Sequence, residues 1–244
     1  MKKNSDKIAS NLVPSNYDFL IGTIRSLVEA ARQSAARSVN AVMTATYWEI
    51  GRRIVEYEQH GEKRAGYGQE LLKRLAGDLT AKFGRGFGVD NLELFRAFYL
   101  TFPPRQISET LSRKSESSIR NFRGSGRSGE KSESLIRILS HAELVEAFPL
   151  SWTHYIHLIR RSRSPEARKF YEAEALRGGW SVRQLDRQMA SLFYERIALS
   201  KNKANMLAKA ATATTADLVT PEEELKDPFV LEFLDLKDEY SERS

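Results

Sequence analysis

Two short stretches of this sequence place polar side chains directly after a glycine-containing turn between two amphipathic patterns. Residues 86–92 read GFGVDNL, and residues 179–185 read GWSVRQL. Each stretch contains a glycine, an aromatic residue, a small residue, valine, two polar residues and leucine in the same order. The polar pair would lie in the first turn of a second helix, facing outward, where helix-turn-helix proteins contact base edges in the major groove. The pattern therefore predicts contact with nucleic acid.

The second stretch carries the residue types suited to that contact. Arg183 can form two hydrogen bonds with guanine, and Gln184 can pair with adenine. Arg187, one turn further on, is better placed for phosphates. The preceding segment is basic and contains Arg160, Arg161, Arg163, Arg168, Lys169 and Arg177. We expect this copy to form the contact surface.

The first stretch is less suited to a polyanion. Arg85 in its turn could contact a phosphate, and Asn91 occupies the second polar position. Asp90 and Glu93 would lie on the same face, where they repel phosphate. We expect this copy to be mainly a scaffold. The alternative, that both copies are only packing corners, stays open because many helical hairpins contain a glycine turn.

No catalytic or metal-binding constellation is evident in the sequence. Asp227-Pro228 and Asp235-Leu236-Lys237 approximate a PD-(D/E)xK nuclease motif, but their spacing is short and no hairpin precedes them. His154 and His157 stand three residues apart without an evident third ligand. The glycine-rich residues 84–88 follow a helix rather than a strand, which disfavours a nucleotide site. We expect no enzyme activity, cofactor, metal or small-molecule substrate.

Apolar residues recur at helical spacing along most of the chain, and no long alternating run indicates a strand. The predicted fold class is mainly α, a multi-helix domain with helix-turn-helix or winged-helix-like elements and room for one or two short strands. Predicted helical segments cover residues 17–31, 39–60, 67–83, 89–102, 150–161, 165–178 and 182–197. Pro103-Pro104 stops the fourth of them.

The same patterns divide the chain into regions. We expect a flexible N-terminus at residues 1–15, a helical domain at 16–200, and a connector with a short amphipathic tail at 201–244. The helical domain is interrupted by a flexible insertion rich in serine, arginine and glycine at residues 105–134. The tail contains the apolar residues Phe229, Val230, Leu231, Phe233 and Leu234. These would be exposed, and would suit a docking partner, if nothing covers them.

The composition sets the broad class of protein. The chain has 244 residues with 41% hydrophobic residues, which suffices for a core. A net charge of +6 favours a polyanionic partner, with a simple solubility charge as the alternative. The absence of cysteine excludes disulfides, and no signal peptide or membrane-length apolar run is evident. We expect a cytoplasmic protein without a membrane partner.

Several blocks resemble the YhcG-like bacterial proteins. The matching blocks are residues 47–54, 67–72, 83–87, 150–155, 179–185 and 226–234. The resemblance implies an N-terminal domain of helix-turn-helix or winged-helix DNA-binding type, which in the family precedes a PD-(D/E)xK nuclease domain. The chain stops at Ser244, about where that nuclease domain would begin, and residues 105–134 are longer than the family pattern. A truncated relative, a split gene product and a stand-alone regulator all remain open.

Two functional hypotheses follow from these observations. The first is a DNA-binding module without its own catalytic domain. The second is a protein-interaction or oligomerisation module that docks a separate nuclease subunit or a second copy of the chain. The two are compatible, because a dimer would present two recognition helices to two half-sites.

Overall fold

The computed structural model describes residues 16–60, 65–109, 111–112, 140–200 and 227–234. The predicted flexible N-terminus, most of the predicted insertion and the connector at 201–226 lie outside the described residues. The helices, in chain order, are α1 Asn16–His60, α2 Ala65–Phe83, α3 Val89–Thr101, α4 His141–Ala147, α5 Trp152–Arg161, α6 Pro165–Gly178, α7 Val182–Ala190, α8 Phe193–Leu199 and α9 Pro228–Phe233.

The fold is mainly α, as the helical spacing of apolar residues predicted. Throughout the described ranges no extended strand is found, and only Trp180 forms an isolated bridge. None of the helices that the structure describes combines the length and the apolar composition needed to cross a bilayer.

The first two predicted helical segments form one continuous helix. α1 runs for 45 residues without a break, because no proline interrupts it and only isolated glycines lie within it. Its C-terminal half enters the core through residues such as Met43, Tyr47, Trp48 and Ile54. Its side chains from residue 17 to residue 32 are all exposed. The two halves therefore share a helix but differ in environment.

The core forms where α1 crosses α3 and α5. The ring of Tyr47 stacks on that of Phe95 with centroids 4.2 Å apart, and Trp152 of α5 meets Tyr47 edge-on at 5.1 Å. The indole Nε1 of Trp48 donates to the backbone oxygen of Phe102 at 2.8 Å. Aromatic packing of this kind contributes beyond the area it buries and fixes the positions of α3 and α5.

The segment after Pro103-Pro104 differs from the prediction at its start. Residues 104–109 are helical rather than irregular, and Ile107 is buried in the core. The predicted insertion at 105–134 therefore begins with an ordered turn. The burial of Ile107, with Leu111 also packed against the core, accounts for that order.

The helix predicted over residues 182–197 is divided into two. Leu192 adopts a left-handed conformation with φ 53°, so α7 ends at Ala190 and α8 begins at Phe193. The Phe193 ring lies 5.8 Å from that of Phe170 and 6.4 Å from that of Trp180. The break redirects the chain so that Phe193 packs into the junction of α6 and α7.

The C-terminal tail folds back onto the domain. α9 packs against α1, with Val230 fully buried and the Phe233 ring edge-on to Tyr47 at 6.0 Å. Thr153 Oγ1 donates to Asp227 Oδ2 at 2.7 Å, and Asp227 caps α9. The sequence left open whether anything covers this tail, and in the structure its own domain covers most of its apolar side.

Candidate nucleic-acid interface

A left-handed glycine joins α6 to α7. Gly179 has φ 59°, a conformation that side chains other than glycine adopt at a cost. The Trp180 amide donates to the carbonyl of Ala175 at 3.0 Å, which closes the end of α6 in the manner of a Schellman motif. Trp180 itself is buried. The glycine therefore forms the tight turn between the two helices, and the aromatic residue that follows it packs inside the domain.

Ser181 fixes the beginning of α7. Its hydroxyl oxygen accepts a hydrogen bond from the Gln184 amide at 3.2 Å, and its carbonyl accepts one from Leu185 at 2.9 Å. The backbone of Ser181 has φ −69° and ψ 163°. The aligned Gly88 at the start of α3 has nearly the same values, −62° and 163°. The two turns therefore share their backbone geometry at the residue that begins the second helix.

A buried histidine connects the core to the second turn. Nε2 of His154 lies 2.9 Å from the Trp180 oxygen, and Nδ1 lies 2.6 Å from Ser151 Oγ. Burial lowers the pKa of His154 and favours the neutral ring. Nε2–H therefore donates to the carbonyl, and the Ser151 hydroxyl donates to Nδ1. This pair of bonds holds the turn against α5.

The same bonds argue against the metal site considered for His154 and His157. Both ring nitrogens of His154 are engaged, and Nδ1 of His157 lies 3.2 Å from Asp186 Oδ1. Within the described part of the chain, no group of three potential metal ligands occurs. The contacts of these histidines instead hold α5 against α7 and against the turn between α6 and α7.

The two polar residues at the start of α7 face opposite environments. Arg183 is exposed, whereas Gln184 is only 5% exposed. The Gln184 amide oxygen accepts a hydrogen bond from the Arg187 guanidinium. The expectation that Gln184 faces outward to a base is wrong, because its side of α7 packs on α5 together with Leu185 and Met189.

The exposed side of α7 carries positive charge. Arg183 and Arg187 are one turn apart and both exposed, so they project from the same face. Arg183 has no ion-pair partner among the described residues. Asp186 lies beside them but is already engaged by the guanidinium of Arg161 and by His157. The net charge of this face is therefore positive.

The other basic residues near this turn have separate environments. The Arg168 guanidinium lies 5.5 Å from the centroid of the Phe102 ring, and burial lowers its pKa. Arg177 pairs with Glu174 on the surface of α6. Arg160 lines a cavity that also contains Asp90 and Glu93. The basic residues that precede the turn in sequence therefore lie in several different environments. Their spacing in the sequence did not predict which of them share a surface.

The first turn has the predicted glycine geometry but an acidic setting. Gly86 has φ 94°, and Asn91 Nδ2 donates to its carbonyl at 3.0 Å. The Asn91 side chain is therefore used to close the turn. Arg85 is exposed but borders a shallow cavity lined also by Asp90 and Glu232. The first turn therefore differs from the second in that its polar side chain bonds within the turn and its arginine lies near acidic residues.

Comparison with known proteins identifies relatives of the chain. The family model described as the DUF1016 N-terminal domain matches residues 23–196. The Escherichia coli (strain K12) protein named "Putative nuclease YhcG" is 46% identical over 228 residues, which cover 93% of this chain. Those residues cover 58% of the relative, so this chain spans less than two thirds of that protein's length. No solved structure matches the chain.

Proposed function

This chain belongs to the DUF1016 N-terminal domain family, and from that premise we propose that it is a DNA-binding module. The contact surface is the exposed side of α7, with Arg183 at its centre and Arg187 one turn away. The relative named as a nuclease has, by that name, a nucleic-acid substrate. In this proposal the described helices bind DNA and take no part in cleavage.

The observation that carries the proposal is the position of Arg183. It lies in the first turn of a helix that begins at a glycine turn, it is exposed, and no described acidic residue pairs with it. A guanidinium in the first turn of a helix can reach base edges when the N-terminal end of that helix lies in the major groove. Its planar pair of donors suits guanine O6 and N7, or a phosphate.

The remaining predicted contacts are ranked by their surroundings. Arg187 supports Gln184 and stays exposed beside Arg183, which suits a phosphate contact. Arg177 lies on α6 close in sequence to the turn, but it pairs with Glu174, whose side chain is only 12% exposed. It therefore ranks below Arg183 and Arg187. Arg85 and Asn91 are assigned to the scaffold of the first turn, and Gln184 to the packing of α7.

Fluorescence anisotropy with labelled duplex DNA tests the proposal. We expect binding that weakens steeply between low and moderate salt, because phosphate neutralisation releases counterions. The double variant Arg183→Ala, Arg187→Ala should bind at least about tenfold more weakly, since each good contact contributes about 1–3 kcal/mol.

The matched control is the double variant Arg25→Ala, Arg74→Ala, which removes the same charge from exposed positions on α1 and α2. It should change affinity by no more than about twofold, through the general charge alone. Absence of wild-type binding at low salt contradicts the proposal. An equal loss in both double variants would show that net charge, rather than α7, carries the binding.

A further inference from the structure

The N-terminal half of α1 presents a row of exposed apolar side chains, here called the α1 stripe. Its members are Tyr17, Leu20, Ile21, Ile24, Leu27, Val28 and Ala31. The sequence predicted that these residues share one helix face, and such a face is ordinarily buried. In the structure the six larger side chains are between 43% and 70% exposed.

The size of the α1 stripe requires an explanation. Its exposed apolar side chains amount to about 700 Å², more than the few hundred Å² of contiguous apolar surface that a soluble monomer usually leaves in water. No described residue covers it. That area is close to the roughly 800 Å² that each partner contributes to a stable interface of standard size.

The charged residues of this segment lie away from the α1 stripe, which favours an apolar partner. With about 100° of rotation per residue, the stripe lies within about 60° of Ile24, and the charged residues of the segment lie at least about 80° away. Those charged residues are Asp18, Arg25, Glu29 and Arg32. The centre of the stripe offers no charge to pair with an anion, so an apolar protein surface fits it better than a polyanion does.

The spacing within the stripe fits a two-stranded coiled coil. Ile24 occupies an a position of a heptad, with Leu20 and Leu27 at the flanking d positions. A β-branched residue at a with leucine at d favours two parallel strands. We propose that the α1 stripe packs against the α1 stripe of a second copy of this chain, forming a parallel homodimer. The proposal concerns a surface remote in sequence from α7 and does not depend on DNA binding.

The direction of the core supports this arrangement. Met43, Tyr47 and Ile54 point from α1 into the domain, and helical geometry places them about 100–140° around the axis from Ile24. Much of the core therefore lies away from the stripe around α1, whereas α4 contacts α1 at Thr46, on the stripe's side but further along the helix. Residues 17–31 themselves are clear of these contacts, so two stripes can meet along their length. In a dimer with two-fold symmetry both copies use the same surface, so no further copy can add to the assembly through that surface.

Light scattering coupled to size-exclusion chromatography tests the dimer. The wild-type chain should elute with a mass of twice 27.8 kDa. Ile24→Glu places a charge at the centre of the seam and should convert the protein to a monomer. The matched control is Phe19→Glu, because Phe19 is 75% exposed and lies on the side of α1 opposite the stripe. It should stay dimeric.

Circular dichroism should show retained helix in both variants, because the exposed half of α1 packs on no described residue. A monomeric wild-type protein overturns the proposal. So does a dimer that survives Ile24→Glu, or one that Phe19→Glu disrupts equally. A monomer whose stripe amides are protected from hydrogen exchange at every concentration would assign the stripe to another segment of the same chain, and would also overturn it.

Disulfide cross-linking tests the parallel arrangement, and the chain is suited to it because it contains no cysteine. In a parallel pair, Leu27 faces Leu27 of the second copy. Leu27→Cys should therefore form an intermolecular disulfide under mild oxidation, and Phe19→Cys should not. A dimer in which Leu27→Cys fails to cross-link would overturn the parallel arrangement.

Discussion

Nε2 of His154 lies 2.9 Å from the backbone oxygen of Trp180, and this contact joins the core of the domain to the turn before α7. His154 belongs to α5, which packs against α1 and α3. The turn that it holds determines where α7 and its arginines project. The position of the proposed DNA-contacting surface is therefore set by a buried hydrogen bond some distance from that surface.

This contact predicts a pH dependence of stability. Burial lowers the pKa of His154 below its usual 6.5, so the unfolded chain takes up a proton at a higher pH than the folded chain does. The free energy of unfolding should therefore decrease as the pH falls below about 6.5. His154→Gln should be less stable at neutral pH and should lose this component of the pH dependence.

Urea denaturation at about pH 7.5 and about pH 5.5, a range in which histidines titrate and carboxylates do not, measures the effect. His141→Gln is the control, because His141 is exposed. That variant should keep the wild-type difference between the two pH values. If His154→Gln keeps it as well, His154 is not its source.

The crossing of α1 and α3 predicts a strong effect at Gly51. A Cβ at this position would lie 1.9 Å from the Phe95 carbonyl oxygen, and backbone cannot move aside as a flexible side chain can. Gly51→Ala should therefore lower the free energy of unfolding by about 2–4 kcal/mol. Gly77→Ala in α2 is the control, because nothing lies within 4 Å of its added Cβ. It should be neutral or stabilise by up to about 1 kcal/mol. Equal effects of the two substitutions would contradict the close crossing.

The left-handed turn predicts a second glycine effect. Gly179→Ala should cost about 1 kcal/mol of stability, because φ 59° strains a residue with a Cβ. Gly179→Asn should cost less, since asparagine tolerates this conformation. Gly88→Ala at the first turn is the control, because its φ is −62° and its added Cβ meets nothing within 4 Å. Thermal denaturation of the three variants ranks them, and a tolerated Gly179→Ala would be inconsistent with the observed turn.

Two substitutions of the capping residue Ser181 are expected to affect protein stability and DNA affinity differently. Ser181→Ala removes the acceptor for the Gln184 amide and should cost about 1 kcal/mol of stability. Ser181→Asp keeps the cap and should preserve stability. It also places a negative charge two residues before Arg183, so it should weaken DNA binding several-fold. Denaturation and anisotropy on the same two variants measure both effects. Unchanged DNA affinity in Ser181→Asp would place the contact surface away from the start of α7.

Much of the local structure was predictable from the sequence. Helix ends at Gly84, Gly179 and Pro103, and the caps at Ser164 and Ser181, depend on interactions within one turn of the chain. Such interactions use neighbouring residues only, so residue types and their spacing contain the necessary information. The paired glycine turns, and with them the region of the candidate site, were identified in this way.

The environment of each helix face was not predictable in the same way. Gln184 and Arg183 are adjacent and both polar, yet one is buried against α5 and the other is exposed. The exposed half of α1 and α9 both have apolar residues at helical spacing. That spacing predicts an apolar helix face, but it is the same whether or not another element covers the face.

The sequence by itself therefore determined the helical class of the fold, the two glycine turns and the family of this protein. Only the tertiary structure decided that α9 is covered, that the α1 stripe is exposed and that Arg183 alone of the polar pair faces outward. The physical reason is that burial depends on contacts between residues far apart in the chain, such as His154 with Trp180 and Val230 with the core. No local pattern specifies which of several apolar or polar faces will meet such a partner.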